Sequence, residues 1–155
     1  MLCFQHQDYD TRPVAANDVS LVRLSRPANL NSQYIGLISV ANSGEDFTGR
    51  SGWITGWGLD ESGERSVILQ QAQISVHTQA YCDGFYADMM TPGQICLGNP
   101  GVAVSCSSDS GGPLIINGIL AGITSWGRVP CNADYPAVYE SVAFHREWIR
   151  QNINV

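Results

Sequence analysis

At 155 residues and a formal net charge of −6, the chain has the length of one domain and no basic footprint for nucleic acid or an anionic membrane. Sixteen glycines, four tryptophans and only 14% charged residues mark a globular rather than a disordered composition, and no apolar run approaches a membrane span. Five cysteines in so short a chain point to an oxidising compartment, although residues 1–6 show neither the basic start nor the long apolar run of a secretion leader.

Short apolar runs alternate with Gly, Asn, Asp, Ser and Pro along the whole length, the signature of an all-β fold. Strands are expected over residues 19–24, 52–56, 67–76, 93–97, 113–116, 119–125 and 136–139. Residues 1–25 offer at most two strands, too few to close a barrel, so their edges and apolar faces are expected to lie open. Residues 26–50 are loop-rich and read as a linker. Asn117-Gly118 between two apolar runs signals a two-residue hairpin turn. One helix is expected, over 142–153, capped by Ser141 and turning Phe144, Trp148, Ile149 and Ile153 to one side.

The run Cys106-Ser107-Ser108-Asp109-Ser110-Gly111-Gly112-Pro113-Leu114 carries the chemistry. It sets the Ser110 hydroxyl on a glycine-flanked turn between apolar strands, open to a substrate and ready to act as a nucleophile if a base takes its proton. A polar hairpin turn is the plainer reading, and neighbouring motifs decide between them. Asn17-Asp18-Val19-Ser20-Leu21, Ile54-Thr55-Gly56-Trp57-Gly58, Tyr81-Cys82 with Ile95-Cys96, the Ser110 turn, Gly122-Ile123-Thr124-Ser125-Trp126-Gly127, Cys131, and Pro136-Ala137-Val138-Tyr139 follow in one order. In this the chain resembles the trypsin/chymotrypsin family of serine endopeptidases from about residue 4 to its end.

The resemblance implies a double β-barrel with the second barrel complete, the first partial and a carboxy-terminal helix. Residues 1–28 would be the remnant of the first barrel, 29–50 the inter-barrel linker, 51–140 the second barrel and 141–155 the helix. It implies that Ser110 is the nucleophile, that Asp18 orients the catalytic imidazole, and that the N–H groups of Ser108 and Ser110 form the oxyanion hole. Asp109 would pair with an activating amino terminus, and Ser125, Trp126 and Gly127 would hold substrate backbone in β fashion. Val104 and Ser105 with the walls Gly127 and Ala137 would frame the primary specificity pocket. With Val104 in place of a carboxylate, that pocket suits a small or medium apolar side chain rather than Lys or Arg.

Disulfides Cys82–Cys96 and Cys106–Cys131 are implied, while a third family pair is replaced by Gly52 and Ile116 and Cys3 has no partner. The expected partners are a polypeptide substrate or a protein inhibitor, with no cofactor, no metal and no nucleic acid, in an extracellular setting. Three departures stand against activity. No histidine matches the catalytic one, since His6 falls in a surface segment, His77 at a solvent-facing strand end and His145 in the terminal helix. No activation cleavage motif is present, and Ser108 stands where the family has glycine. An amino-terminal truncation is expected to account for the first two, while Ser108 keeps a non-catalytic, protease-like binding module as the alternative.

Overall fold

The structure is a computed structural model and describes residues 2–60 and 62–153. Strands β1 (Leu2–Gln5) and β2 (Ser20–Arg23) pair antiparallel as a separate ribbon. The remaining strands are β3 (Ser39–Val40), β4 (Ser51–Gly56), β5 (Gln70–His77), β6 (Gln94–Gly98), β7 (Pro113–Ile116), β8 (Ile119–Gly127) and β9 (Ala137–Ser141). Six of them close on themselves in the order β8-β7-β4-β5-β6-β9, because β8 pairs with both β7 and β9. Strand β3 adds in parallel to the start of β8. Helix α1 (Gln79–Tyr86) lies between β5 and β6, and α2 (Arg146–Ile153) follows β9. The all-β class, the closed barrel, the partial amino-terminal sheet and the terminal helix are as the sequence leads one to expect.

Period-two alternation builds the barrel interior, turning Ile54, Ile74, Val76, Leu97, Leu114, Ile116 and Tyr139 into one cluster. Asn117 (φ 51°) and Gly118 (φ 77°) make the expected tight hairpin between β7 and β8. A Cβ on Gly52 would lie 2.6 Å from Ile116 Cγ1. The positions the resemblance assigns to a cysteine pair are thus occupied by a small residue and a large one that fills its space.

The ribbon is open, as anticipated: Leu2, Val22 and Leu24 are largely exposed. The total surface of 9658 Å² exceeds by about a quarter the ~7,700 Å² expected of a folded 16.8 kDa monomer. Within residues 2–38, Leu30, Tyr34, Ile35, Leu37 and Ile38 are turned outward as well.

Several expectations need correction. Val67, Ile68 and Leu69 are not strand but exposed loop, and β5 begins at Gln70. Gln70 faces Gly56, the last residue of β4, so residues before it have no partner strand. The terminal helix starts at Arg146, after a turn over 142–145 in which Ser141 Oγ accepts the Phe144 N–H at 3.2 Å. Ile149 is buried, whereas Phe144 and Ile153 are exposed; Phe144 instead covers Gly93, where any Cβ would clash with its ring. Helix α1 was not anticipated. It has no side-chain cap and ends on left-handed Ala87 rather than glycine, so its signals are weak. Its place is set by the buried Cys82–Cys96 bond to β6.

Candidate active site

Both implied disulfides are formed, Cys82–Cys96 and Cys106–Cys131, and Cys3 is free and exposed. The second ties the serine turn to the loop before β9. Within the turn, Asp109 N–H donates to Cys106 O at 2.9 Å and Gly112 N–H to Asp109 O at 2.8 Å. On the far side Gly111 N–H donates to Thr124 O and Thr124 N–H to Gly112 O, each at 2.9 Å. Ser110 is therefore the exposed apex of a turn clamped on both flanks. Among the described residues neither the Ser108 nor the Ser110 N–H finds a protein acceptor, leaving two free donors at the apex.

The Asp109 side chain points inward. Its Oδ1 accepts the Gly58 N–H at 2.7 Å and its Oδ2 the Cys106 N–H at 2.9 Å. Gly56 and Gly58 wrap this carboxylate so closely that a Cβ on either would overlap it. Asp109 borders a cavity of about 430 Å³ that Val104, Ser105, Cys106, Cys131 and Tyr139 also line. Burial pushes the Tyr139 phenol up from its ordinary range. Ser110, Ser125, Trp126, Gly127 and Ala137 do not border this cavity, so of the four expected pocket residues it brings together only Val104 and Ser105.

Asp18 is half-buried and its Oδ2 accepts the Ser125 hydroxyl at 2.9 Å, across 107 residues of sequence. Two local devices produce this contact. Asn17 holds a left-handed φ of 51°, a conformation Asn tolerates better than most residues, and so turns the chain into Asp18. On the other side, the β8–β9 register shifts between Thr124 and Trp126, leaving Ser125 as the bulged residue. Thr124 holds the serine turn and its neighbour Ser125 holds Asp18, so two adjacent residues of β8 bring Ser110 and Asp18 to one region. Neither Thr124 nor the bulge stood out in the sequence; a bulge leaves no signal of its own in an apolar run.

Trp126 packs edge-on against Tyr86 at 5.0 Å, and the Tyr86 hydroxyl donates to Pro136 O. Gly127 and Ala137 are register partners, and a Cβ on Gly127 would lie 3.9 Å from that of Ala137. The two expected wall positions are therefore cross-strand neighbours in direct contact.

Ser108 has φ 80°, a region where a side chain is strained. Ser108→Gly is expected to stabilise the chain by about 1 kcal/mol, read as a higher urea midpoint. A lower midpoint would show that the serine side chain repays its strain.

The three histidines lie elsewhere, and two differ from expectation. His6 is buried rather than on the surface, its ring 4.9 Å from Trp148 and 5.4 Å from His145. His77 is not simply turned to solvent: its Nε2 bonds Gly98 O at 2.9 Å and its ring stacks on Tyr81. His145, in the turn before α2, contacts the Glu140 carboxylate at 2.8 Å. Among the described residues none is bonded to Ser110, and no cluster of three or more His, Cys, Asp or Glu has metal-site geometry.

Burial, then the like charge of His145, holds His6 below its ordinary pKa, against the opposing pull of Asp8 and Glu140. His6 Nδ1 also accepts the Asp8 N–H at 3.2 Å, a bond that protonation there would break. The unfolded chain then binds more protons below about pH 6.5, so stability falls as pH drops from about 6.5 towards the lower folded value. Urea midpoints at pH 7.5 and 5.5 should differ in that direction, and His6→Gln should flatten the difference. An unchanged slope in His6→Gln would assign the acid sensitivity to other groups.

The closed barrel, the second partial sheet and the terminal helix define the architectural class of trypsin-like proteins. The trypsin family model matches residues 2–149. Kallikrein-4 of Homo sapiens is 35% identical over 154 residues, covering 98% of this chain and 59% of that protein. Trypsin of Squalus acanthias is 40% identical over 139 residues, covering 88% of this chain and 60% of its own. Among solved structures, neuropsin, a serine protease expressed in the limbic system of mouse brain, superposes with a TM-score of 0.90 at 31% identity. That match covers 99% of this chain and 70% of the neuropsin chain. The chain belongs to the trypsin family. It spans about three-fifths of the length of the curated relatives it matches.

Proposed function

We propose that residues 1–155 carry the nucleophile-bearing part of a secreted serine endopeptidase that works by acyl transfer. Ser110 Oγ attacks the scissile carbonyl and forms the acyl-enzyme. Its proton passes to an imidazole supplied by sequence outside this chain and then to the leaving amine, and water hydrolyses the ester. Asp18 orients that imidazole, and the free Ser108 and Ser110 N–H groups hold the developing oxyanion. The edge Ser125–Gly127 pairs with an extended polypeptide, and Val104, Ser105, Gly127 and Ala137 select a small or medium apolar side chain. Asp109, at the wall of its cavity, pairs with an activating amino terminus. The observation that carries this reading is the clamped Ser110 apex with two unpaired N–H donors beside it.

By itself the 155-residue chain is expected to be inactive. Among the described residues no imidazole is bonded to Ser110, and a serine hydroxyl without a base stays protonated; loss of either member of such a pair costs about 10⁶ in turnover. The purified chain should therefore fail to react with a fluorophosphonate probe, and labelling at Ser110 would overturn this. A transcript with an upstream Ala-Ala-His-Cys segment, whose product labels at Ser110, would support the endopeptidase.

The strained Ser108 favours one second reading, a protease-like module that binds a protein without cleaving it through the Ser125–Gly127 edge. A longer product that folds, lacks that histidine and does not label would support the binder.

A further inference from the structure

A carboxylate outside the serine turn is more completely buried than any group in it. Glu140, on β9, is fully enclosed and both its oxygens are used. Its Oε2 meets His145 Nε2 at 2.8 Å, and its Oε1 accepts from Gln94 Nε2 at 3.1 Å. Gln94 is the register partner of Glu140 on β6. Its Oε1 accepts the Thr91 N–H at 3.0 Å, and its Nε2 also donates to the backbone oxygen of Ala15 at 2.6 Å. Ala15 stands three residues before Asp18, in a loop closed by the reciprocal Asp10–Ala16 backbone bonds. Gln94 thus reaches 79 residues back along the chain to hold the loop that presents Asp18.

We propose that Glu140 is a positioning residue for Asp18, acting through Gln94; the proposal rests on the reading of Asp18 as the carboxylate that orients the catalytic imidazole. Glu140 fixes the Gln94 amide by occupying one of its two N–H donors. The second N–H then points at Ala15 O and nowhere else. The loop is gripped at two ends, by Gln94 at Ala15 and by Ser125 at Asp18, so the carboxylate cannot slide along β8. A barrel that needed only stability would have no use for a buried carboxylate here, because apolar replacements of buried ion pairs are often neutral or stabilising. Geometry is what the carboxyl group supplies, since one of its oxygens fixes the Gln94 N–H and the other meets the His145 ring.

The test is site-resolved amide exchange and side-chain carboxyl ¹³C shifts on the ¹⁵N,¹³C-labelled 155-residue chain. In Gln94→Met, exchange at Ala16 and Val19 should quicken at least tenfold and the Asp18 carboxyl shift should move, while Cys96, Leu97 and Val138 keep their protection. Glu140→Met should do the same, and Glu140→Gln, which keeps an acceptor for Gln94, should restore near-native exchange at Ala16 and Val19. The proposal is overturned if the Ala16 and Val19 amides and the Asp18 shift are unchanged in Gln94→Met. It is equally overturned if Glu140→Gln is as loose as Glu140→Met, or if every amide in the chain loosens together. Should Glu140→Met fail to fold, Gln94→Met, which leaves the Glu140–His145 contact intact, decides alone. A failure of the endopeptidase reading would show instead as an unlabelled longer product with this exchange pattern intact.

Discussion

Gly56→Ala is expected to destabilise the chain by about 3 kcal/mol, and to lose most of that cost when Asp109 is replaced by Ala. The three atoms nearest a Cβ on Gly56 all belong to the Asp109 side chain, so the substitution strikes that side chain first. Expelling that side chain strands the Gly58 and Cys106 N–H groups it now accepts. Each buried donor left without a partner costs about 1–3 kcal/mol. In Asp109→Ala those two donors are already stranded, and the Cβ of residue 56 meets the remaining Cβ of residue 109 at 3.5 Å, an ordinary van der Waals contact. The measurement is a double-mutant cycle from urea unfolding of the chain, Gly56→Ala, Asp109→Ala and the pair. Equal costs for Gly56→Ala in both backgrounds would refute the account, by locating the strain in the β4 backbone instead. The cycle also bears on function, because the same carboxylate shapes the turn beneath Ser110.

The same crowding explains what could and could not be read along the chain. The β7–β8 hairpin was legible because Asn117-Gly118 carries its own turn chemistry, and β7 was found at its true bounds. The start of β5 was not, because Val67-Ile68-Leu69 has strand composition but no strand beside it. Its partner β4 stops at Gly56, where the chain leaves the sheet to wrap Asp109. That reason lies 53 residues away, in the Ser110 turn, and no local pattern contains it. Ser110 was legible because glycines on one side and apolar strands on both declare an exposed turn. The Asp18–Ser125 contact was not, because it depends on a bulge that re-aims one residue of β8. Burial of His6 and Glu140 escaped for a related reason: polar residues in a charge-poor chain read as surface until their partners are known. Their partners lie on other segments: His145 and Trp148 pack on His6, and Gln94 and His145 bond Glu140.

Opening Cys106–Cys131 by replacing both cysteines with Ser is expected to cost about 3.5 kcal/mol, and to loosen the serine turn selectively. The chain-entropy model gives about 3.5 kcal/mol for a closure of 25 residues and about 3 kcal/mol for the 14-residue closure of Cys82–Cys96. The two bonds are therefore nearly equal by loop length, and surroundings must separate them. Cys82 and Cys96 are fully buried in their own apolar cluster with Tyr86, Met90 and Val138, which continues to hold α1 against β6 without the bond. Cys106 and Cys131 are half-exposed, and the segment between Val104 and Ser108 has few buried apolar neighbours beyond Val104. With that bond gone, the Asp109 carboxylate and the Gly111–Thr124 contact are left to hold the turn. Limited proteolysis read by mass spectrometry should place new cuts within residues 102–110 in Cys106→Ser/Cys131→Ser and none there in Cys82→Ser/Cys96→Ser. If both double variants are cut alike, or the first only unfolds globally, then the turn is held by the barrel as a whole. The disulfide would in that case contribute stability without shaping the apex on which Ser110 sits.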